Sequence, residues 1–247
     1  MPITFAHPAA VLPLRGLGLP MSALVAGSMA PDLPVFVHQW RWYAVTHSWP
    51  GVVTVDVALA LVALAVWLGL VRDPVVDLMP QRVRDRLTTS VRWQVRAWLL
   101  ALPAAALGAA THVGWDQFTH PGRWGERHVP WLAAHAGGMP GYLWLQLASG
   151  LAGMAVVAAV AVGWLARQPV RPRPRLVAGG PLAAVGALLP AGVLTLLAVL
   201  AAEPPSVHAL AFTAVTRGVL VTAIAMLALS LWWQRSARGT GTQTPSP

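Results

Sequence analysis

The residues best suited to chemistry lie in one run, His112-Val-Gly-Trp-Asp116-Gln-Phe-Thr-His120. Spacings of four put the three polar side chains along one stripe of a helix, and Pro121 marks where that helix must end. Imidazole nitrogen and carboxylate oxygen are donors that suit zinc or a similar divalent ion. An Asp one turn from a His can instead orient the ring from behind. The competing reading is a polar stripe at a helix end that meets lipid headgroups. Three aligned polar groups are costly inside an apolar bundle, which favours the metal reading.

Other residues could join them. Asp32 closes Gly27-Ser-Met-Ala-Pro-Asp32. It reads as a turn or N-cap carboxylate, or as a ligand that bridges two metals. His38 and His47 flank a tryptophan-rich segment with Trp40 and Trp42, and Trp49 follows. His38 fits an interfacial aromatic belt, whereas His47, in Thr46-His47-Ser48, is the better ligand candidate. His7 precedes Pro8 at an expected helix start and is either a solvated cap or a ligand. His128 and His135 read as loop residues, and Glu203 and His208 as solvated. Asp56 and Arg217 fall inside apolar segments. They could pair, or Arg217 could snorkel or face a cavity.

The elements that must position these groups are membrane helices. The mean hydropathy is +0.60, and only 10% of the 247 residues are charged, against about 25% in a soluble domain. Roughly 20 apolar residues cross the hydrocarbon, and five segments qualify: 52–71, 97–115, 143–166, 176–201 and 209–233. Pro103, Pro181 and Pro190 fall inside them, which membrane bundles tolerate. The expected fold is all-α, a polytopic bundle forming one membrane domain over residues 1–233, with a disordered cytoplasmic tail at 234–247. Residues 9–37 are apolar but broken by Pro13, Gly16, Gly18 and Pro20. Two short helices with a turn at Arg15–Pro20 fit, as a re-entrant hairpin that returns His7 and Asp32 to one surface. The N-terminus reads as retained, because Pro31 would block cleavage after the apolar run.

All seventeen basic residues are Arg, and the net charge is +9. Arg72, Arg82, Arg84, Arg86, Arg92 and Arg96 share one loop, and Arg167, Arg171, Arg173 and Arg175 another; Arg235 and Arg238 follow the last segment. Five spans put these three regions on one side, and the positive-inside rule makes that side cytoplasmic. The protein is then a multi-pass plasma-membrane protein with a cytoplasmic C-terminus. Membrane lipids are its expected partners, and a nucleic-acid role is unnecessary. The same topology gathers all eight histidines at the outer face. The absence of Cys excludes disulfides, thiolate metal sites and Cys nucleophiles.

Four stretches carry a family resemblance: Met1-Pro-Ile-Thr-Phe-Ala-His7-Pro-Ala-Ala, Gly27-Ser-Met-Ala-Pro-Asp32, His47-Ser-Trp-Pro-Gly51 and Thr111-His112-Val-Gly-Trp-Asp116-Gln-Phe-Thr-His120-Pro-Gly122. The chain resembles the bacterial membrane family numbered 4184 among domains of unknown function, over nearly its whole length. More loosely, it is similar to inner-membrane metal-dependent hydrolases, with Thr111 where their pattern often has Ser. The resemblance implies His7, Asp32, His47, His112 and Asp116 as metal ligands and implies no substrate.

The leading expectation is a hydrolase at the extracytoplasmic membrane surface. A divalent ion, zinc by preference, would be held by His112, Asp116, His47 and Asp32. Asp32 or His120 would serve as general base. The competing readings are a transporter or proton-coupled channel using Asp56 and Arg217, a non-catalytic metal-binding scaffold, and a bis-His haem site.

Overall fold

The computed structural model describes residues 4–88, 91–202 and 206–240, without the side chains of residues 180, 181, 208, 239 and 240. Glu203, the His208 side chain, residues 241–247 of the tail and the first three residues of the N-terminal motif lie outside the described residues.

The chain is all-α. The described residues include one short β-ladder, which pairs His135–Ala136 with Met139–Pro140. Gly137 and Gly138 turn between them at φ 59° and 81°, the left-handed backbone that a tight hairpin requires. Among the described residues, five helices are long and apolar enough to cross a membrane: Trp49–Leu78, Val95–Thr119, Gly141–Ala166, Leu182–Leu200 and Ala209–Arg238. All five expected spans are therefore present.

By contact the chain divides into two compact units, one made of residues 2–64 and 93–163, the other of residues 65–92 and 164–247. In the first unit the N-terminal apolar stretch folds back on itself. Pro8–Val11 runs into a 3-10 helix, Leu12–Leu17, and the chain reverses at Gly18, with φ 71°, before Met21–Met29 begins. Arg15 thus belongs to the helix, and the turn is confined to Gly18–Pro20. The apolar stretch Met21–Phe36 measures roughly 24 Å at 1.5 Å per residue. That is short of the ~30 Å hydrocarbon, so this folded-back pair of helices is too short to cross it. Val11 packs against Ala23, Leu24, Ala101 and Ala104, all fully buried.

The hairpin lies against the second span, Val95–Thr119, backbone on backbone. A Cβ on Gly27 would collide with the backbone of Ala105, and one on Gly108 with the carbonyl of Leu24 and the nitrogen of Ser28. The helix continues through Pro103, as membrane helices often do. Ser48 opens the first span as an N-cap, its hydroxyl accepting from the Gly51 nitrogen at 3.1 Å, with Pro50 in the first turn.

In the second unit, the Asp77 carboxylate accepts from the backbone nitrogens of Leu176 and Val177 at 3.0 and 3.2 Å and from Trp233 Nε1 at 2.8 Å. Those bonds hold residues 176 and 177 out of the helix, so the fourth span begins later than hydropathy alone suggests, at Gly180, with Pro181 in its first turn. The last helix runs to Thr240. This corrects the expectation of disorder for residues 234–240: Gln234, Arg235, Ala237 and Arg238 are good helix formers that extend an existing helix at little cost. Arg217 donates to the Ala198 carbonyl.

Candidate metal centre

The close approach at Gly27 and Gly108 has a direct chemical result. It brings the Ser28 carbonyl to 2.7 Å from His112 Nδ1. A carbonyl only accepts, so Nδ1 carries a proton, and Nε2 is the nitrogen left to face a metal ion. His47 is fixed in the same way: its Nδ1 lies 3.0 Å from the Tyr43 carbonyl, one turn back. Thr46, next to it, donates to the Pro31 carbonyl at 2.8 Å, which ties this helix to the turn carrying Asp32. Asp32 is held from the other side, with the Thr4 hydroxyl donating to its Oδ2 at 2.5 Å. That leaves Oδ1 facing the two histidines.

His47 Nε2 and His112 Nε2 are buried and have no hydrogen-bond partner among the described residues. Each faces the same two carboxylates. From His47 Nε2 the distances are 3.6 Å to Asp32 Oδ1 and 3.3 Å to Asp116 Oδ2. From His112 Nε2 they are 3.6 and 3.5 Å to the same two atoms. Four bonds of ~2.0–2.2 Å in a tetrahedral array hold their donors about 3.3–3.6 Å apart. The four His–Asp separations are of that length, and the donors fall into two groups able to hold an ion, His47, His112 and Asp116, and His7, Asp32 and His112. Buried imidazoles aimed at carboxylates without bonding them are what a cation between them would explain.

The other Asp116 oxygen faces a different pair. Oδ1 lies 3.3 Å from His120 Nδ1 and 3.7 Å from His7 Nε2. His7 stacks on His112 with ring centroids 3.7 Å apart. It falls with Asp32 and His112 in a second group able to hold a metal, beside the group His47, His112 and Asp116. Burial first, then the neighbouring His112, pushes the His7 imidazole down to about 3, so the ring is neutral and can act as a donor. Burial alone would raise the Asp32 carboxyl, but the charge and hydrogen bond of His112 override it and hold it at about 2. Tyr43, whose ring lies 3.9 Å from that of His47, is pushed up to about 12 by burial and then by the charges of Asp116 and Asp32.

The helix ends after Thr119, and His120 takes an extended backbone. Its ring still returns to Asp116, while Gln146 of the third span donates to His120 Nε2 at 3.0 Å. The stripe read from the sequence is therefore present, with its last member off the helix. His7, Asp32, Asp116 and His120 line a cavity of about 380 Å³.

The structure brings together His7, Asp32, His47, His112, Asp116 and His120. Other candidates stand apart. His38 is exposed, His128 stacks on Trp124 at 4.7 Å, and His135 sits in the exposed ladder. Asp56 is fully buried, and neither carboxylate oxygen has a hydrogen-bond partner among the described residues. Sequence reasoning missed Thr4 and Gln146. Thr4 sits within the quoted N-terminal motif, three residues before His7, and Gln146 is a lone amide in an apolar span, a position where polar residues are costly.

The family profile described as "Domain of unknown function (DUF4184)" matches residues 1–232. The chain belongs to this family. The match includes every residue of the His/Asp cluster and all but the C-terminal end of the last span. No curated protein and no solved structure matches the chain.

Proposed function

We propose that this member of the family is a membrane-embedded, metal-dependent hydrolase working at the extracytoplasmic face. Asp32, His47, His112 and Asp116 are the core ligands, and His7 is a fifth donor on the cavity side. The observation that carries the reading is the pair of buried, unpartnered Nε2 atoms, each at tetrahedral edge distance from two carboxylate oxygens. Imidazole nitrogens and carboxylate oxygens are donors that suit zinc. An ion so held lowers the pKa of water from 15.7 to about 7.

The residues around it have separable roles. Ser28 and Tyr43 fix the histidine tautomers through their carbonyls, and Thr4 orients Asp32. His120 lines the cavity with Nδ1 beside Asp116 and Nε2 beneath Gln146; once released from Gln146, Nε2 can take a proton from water and return it to the leaving group. In the net reaction a water oxygen bonds to the carbonyl carbon or phosphorus of an ester, amide or phosphoester. The bond to the leaving oxygen or nitrogen breaks, and that atom receives the proton. The arginine-rich regions 72–96 and 167–175 support the extracytoplasmic reading through the positive-inside rule.

The test is metal analysis of detergent-purified protein beside a His112→Ala/Asp116→Ala double variant. The native chain should carry stoichiometric metal and the double variant almost none. Equal metal in both removes the ligand assignment. A transport reading has one observation in its favour, the buried and unpartnered carboxylate of Asp56. It requires Asp56→Asn to abolish proton-coupled uptake in vesicles.

A further inference from the structure

The cavity at the His/Asp cluster is two-sided in chemistry. At one end stand His7, Asp32, Asp116 and His120; its remaining wall is mostly Ala, Gly and Val. On the third span, Gly141–Ala166, the lining residues Gln146, Ser149, Gly150, Gly153 and Val156 recur at three- and four-residue spacing, so they form one stripe along the helix. Polar groups stop at Ser149; beyond it the lining is glycine, alanine and valine. From Gln146 to Val156 the helix rises about 15 Å, half of the ~30 Å hydrocarbon thickness. The facing wall from the N-terminal hairpin is Ala6, Ala9 and Ala10. Small side chains let the two walls approach closely: a Cβ on Gly153 would meet Ala6.

We infer that the substrate is a membrane lipid, one of whose hydrocarbon chains lies in this groove while its ester or phosphoester meets the His/Asp cluster. The groove runs along a membrane-spanning helix, begins at the candidate reaction centre and descends for the depth of one leaflet. A water-soluble substrate gains nothing from an apolar channel of that length, whereas an alkyl chain can pass into it from the bilayer without exposing a methylene to water. The volume, about 380 Å³, is near the lower end of ligand cavities and suits one chain rather than two. Val156 is 46% exposed and Trp115 43%, so the walls offer a chain a lateral approach. The identity of the cleaved bond rests on the hydrolase reading; the groove's occupant does not.

The experiment uses the full chain in dioleoylphosphatidylcholine vesicles with two photoreactive lysophosphatidylcholines, one carrying a diazirine near the chain end and one on the headgroup. The chain probe should label peptides around Gly153 and Val156 and around Ala9 and Ala10; the headgroup probe should label around His120 and Gln146. Val156→Trp fills the deep end without touching the cluster. It should remove most chain labelling of the groove, because the indole occupies the space the chain would fill, with metal content unchanged. Ala10→Leu should do the same from the opposite wall. Labelling of the groove should persist in chelator-stripped protein, so a failed metal assignment leaves this test standing. Chain labelling spread evenly over the spans, or unchanged in both variants, overturns the proposal.

Discussion

At the scale of single residues the candidate centre consists of donors and the groups that aim them, and the two kinds should fail differently. Removing His112 or Asp116 removes a donor. Thr4→Val leaves every donor in place but frees Asp32 from the hydroxyl at 2.5 Å. Loss of such an outer partner typically weakens metal binding 10–100-fold. Competition with a fluorescent zinc chelator should register that drop, and undiminished affinity would strip Thr4 of its positioning role. His120→Ala should separate chemistry from binding, because His120 meets the cluster only through the second oxygen of Asp116. Metal content should stay stoichiometric while turnover of a lipid ester falls by about 10²–10⁴-fold. Parallel loss of metal would make His120 a ligand instead. The three-residue stripe was legible in sequence because its spacing is local. The Thr4–Asp32 contact was not, because it joins residues 28 positions apart and depends on where a hairpin turns.

At the scale of elements the governing feature is the contact between the N-terminal hairpin and the second span. Gly108→Ala adds a methyl where the Leu24 carbonyl and Ser28 nitrogen already stand. The helices must part, and overpacking of this kind costs about 1–3 kcal/mol. Gly114, one and a half turns further along the same helix, has no atom within 4 Å of its would-be Cβ, so Gly114→Ala should be neutral or slightly stabilising. Thermal unfolding in detergent should lower the midpoint for the first and spare the second. Equal shifts would mean the close approach contributes nothing. The spans themselves were readable from length and hydropathy, and the hairpin from Gly18 and Pro20 breaking an apolar run. The start of the fourth span was not. It is set by Asp77 capturing the nitrogens of Leu176 and Val177 across 99 and 100 residues, which no local pattern reports.

At the scale of the whole molecule the arginine distribution predicts an orientation that can be measured cleanly. The chain has no Cys, so each introduced thiol is the only one present. Cysteines replacing Arg171 and His135 should react with a membrane-impermeant maleimide from opposite sides of the membrane, Arg171 from the cytoplasm. Labelling of both from one side would invert or break the five-span arrangement. Metal removal belongs to this scale too. An ion that binds only the folded state stabilises all of it, by about 2.7 kcal/mol at a free concentration a hundred times Kd. Chelation should therefore lower the unfolding midpoint of the native chain and leave that of the His112→Ala/Asp116→Ala variant unmoved.

Both imidazoles at the heart of the cluster are steered by main-chain oxygens, those of Ser28 and Tyr43. A peptide oxygen is present whatever side chain its residue bears, so neither acceptor can be deleted by point substitution. What heredity can alter is the distance at which the Ser28 oxygen is delivered, and that distance is encoded by two residues with no side chain at all, Gly27 and Gly108. In a random mutant library, inactive clones that keep every donor intact should cluster at those two glycines and be scarce at Ser28.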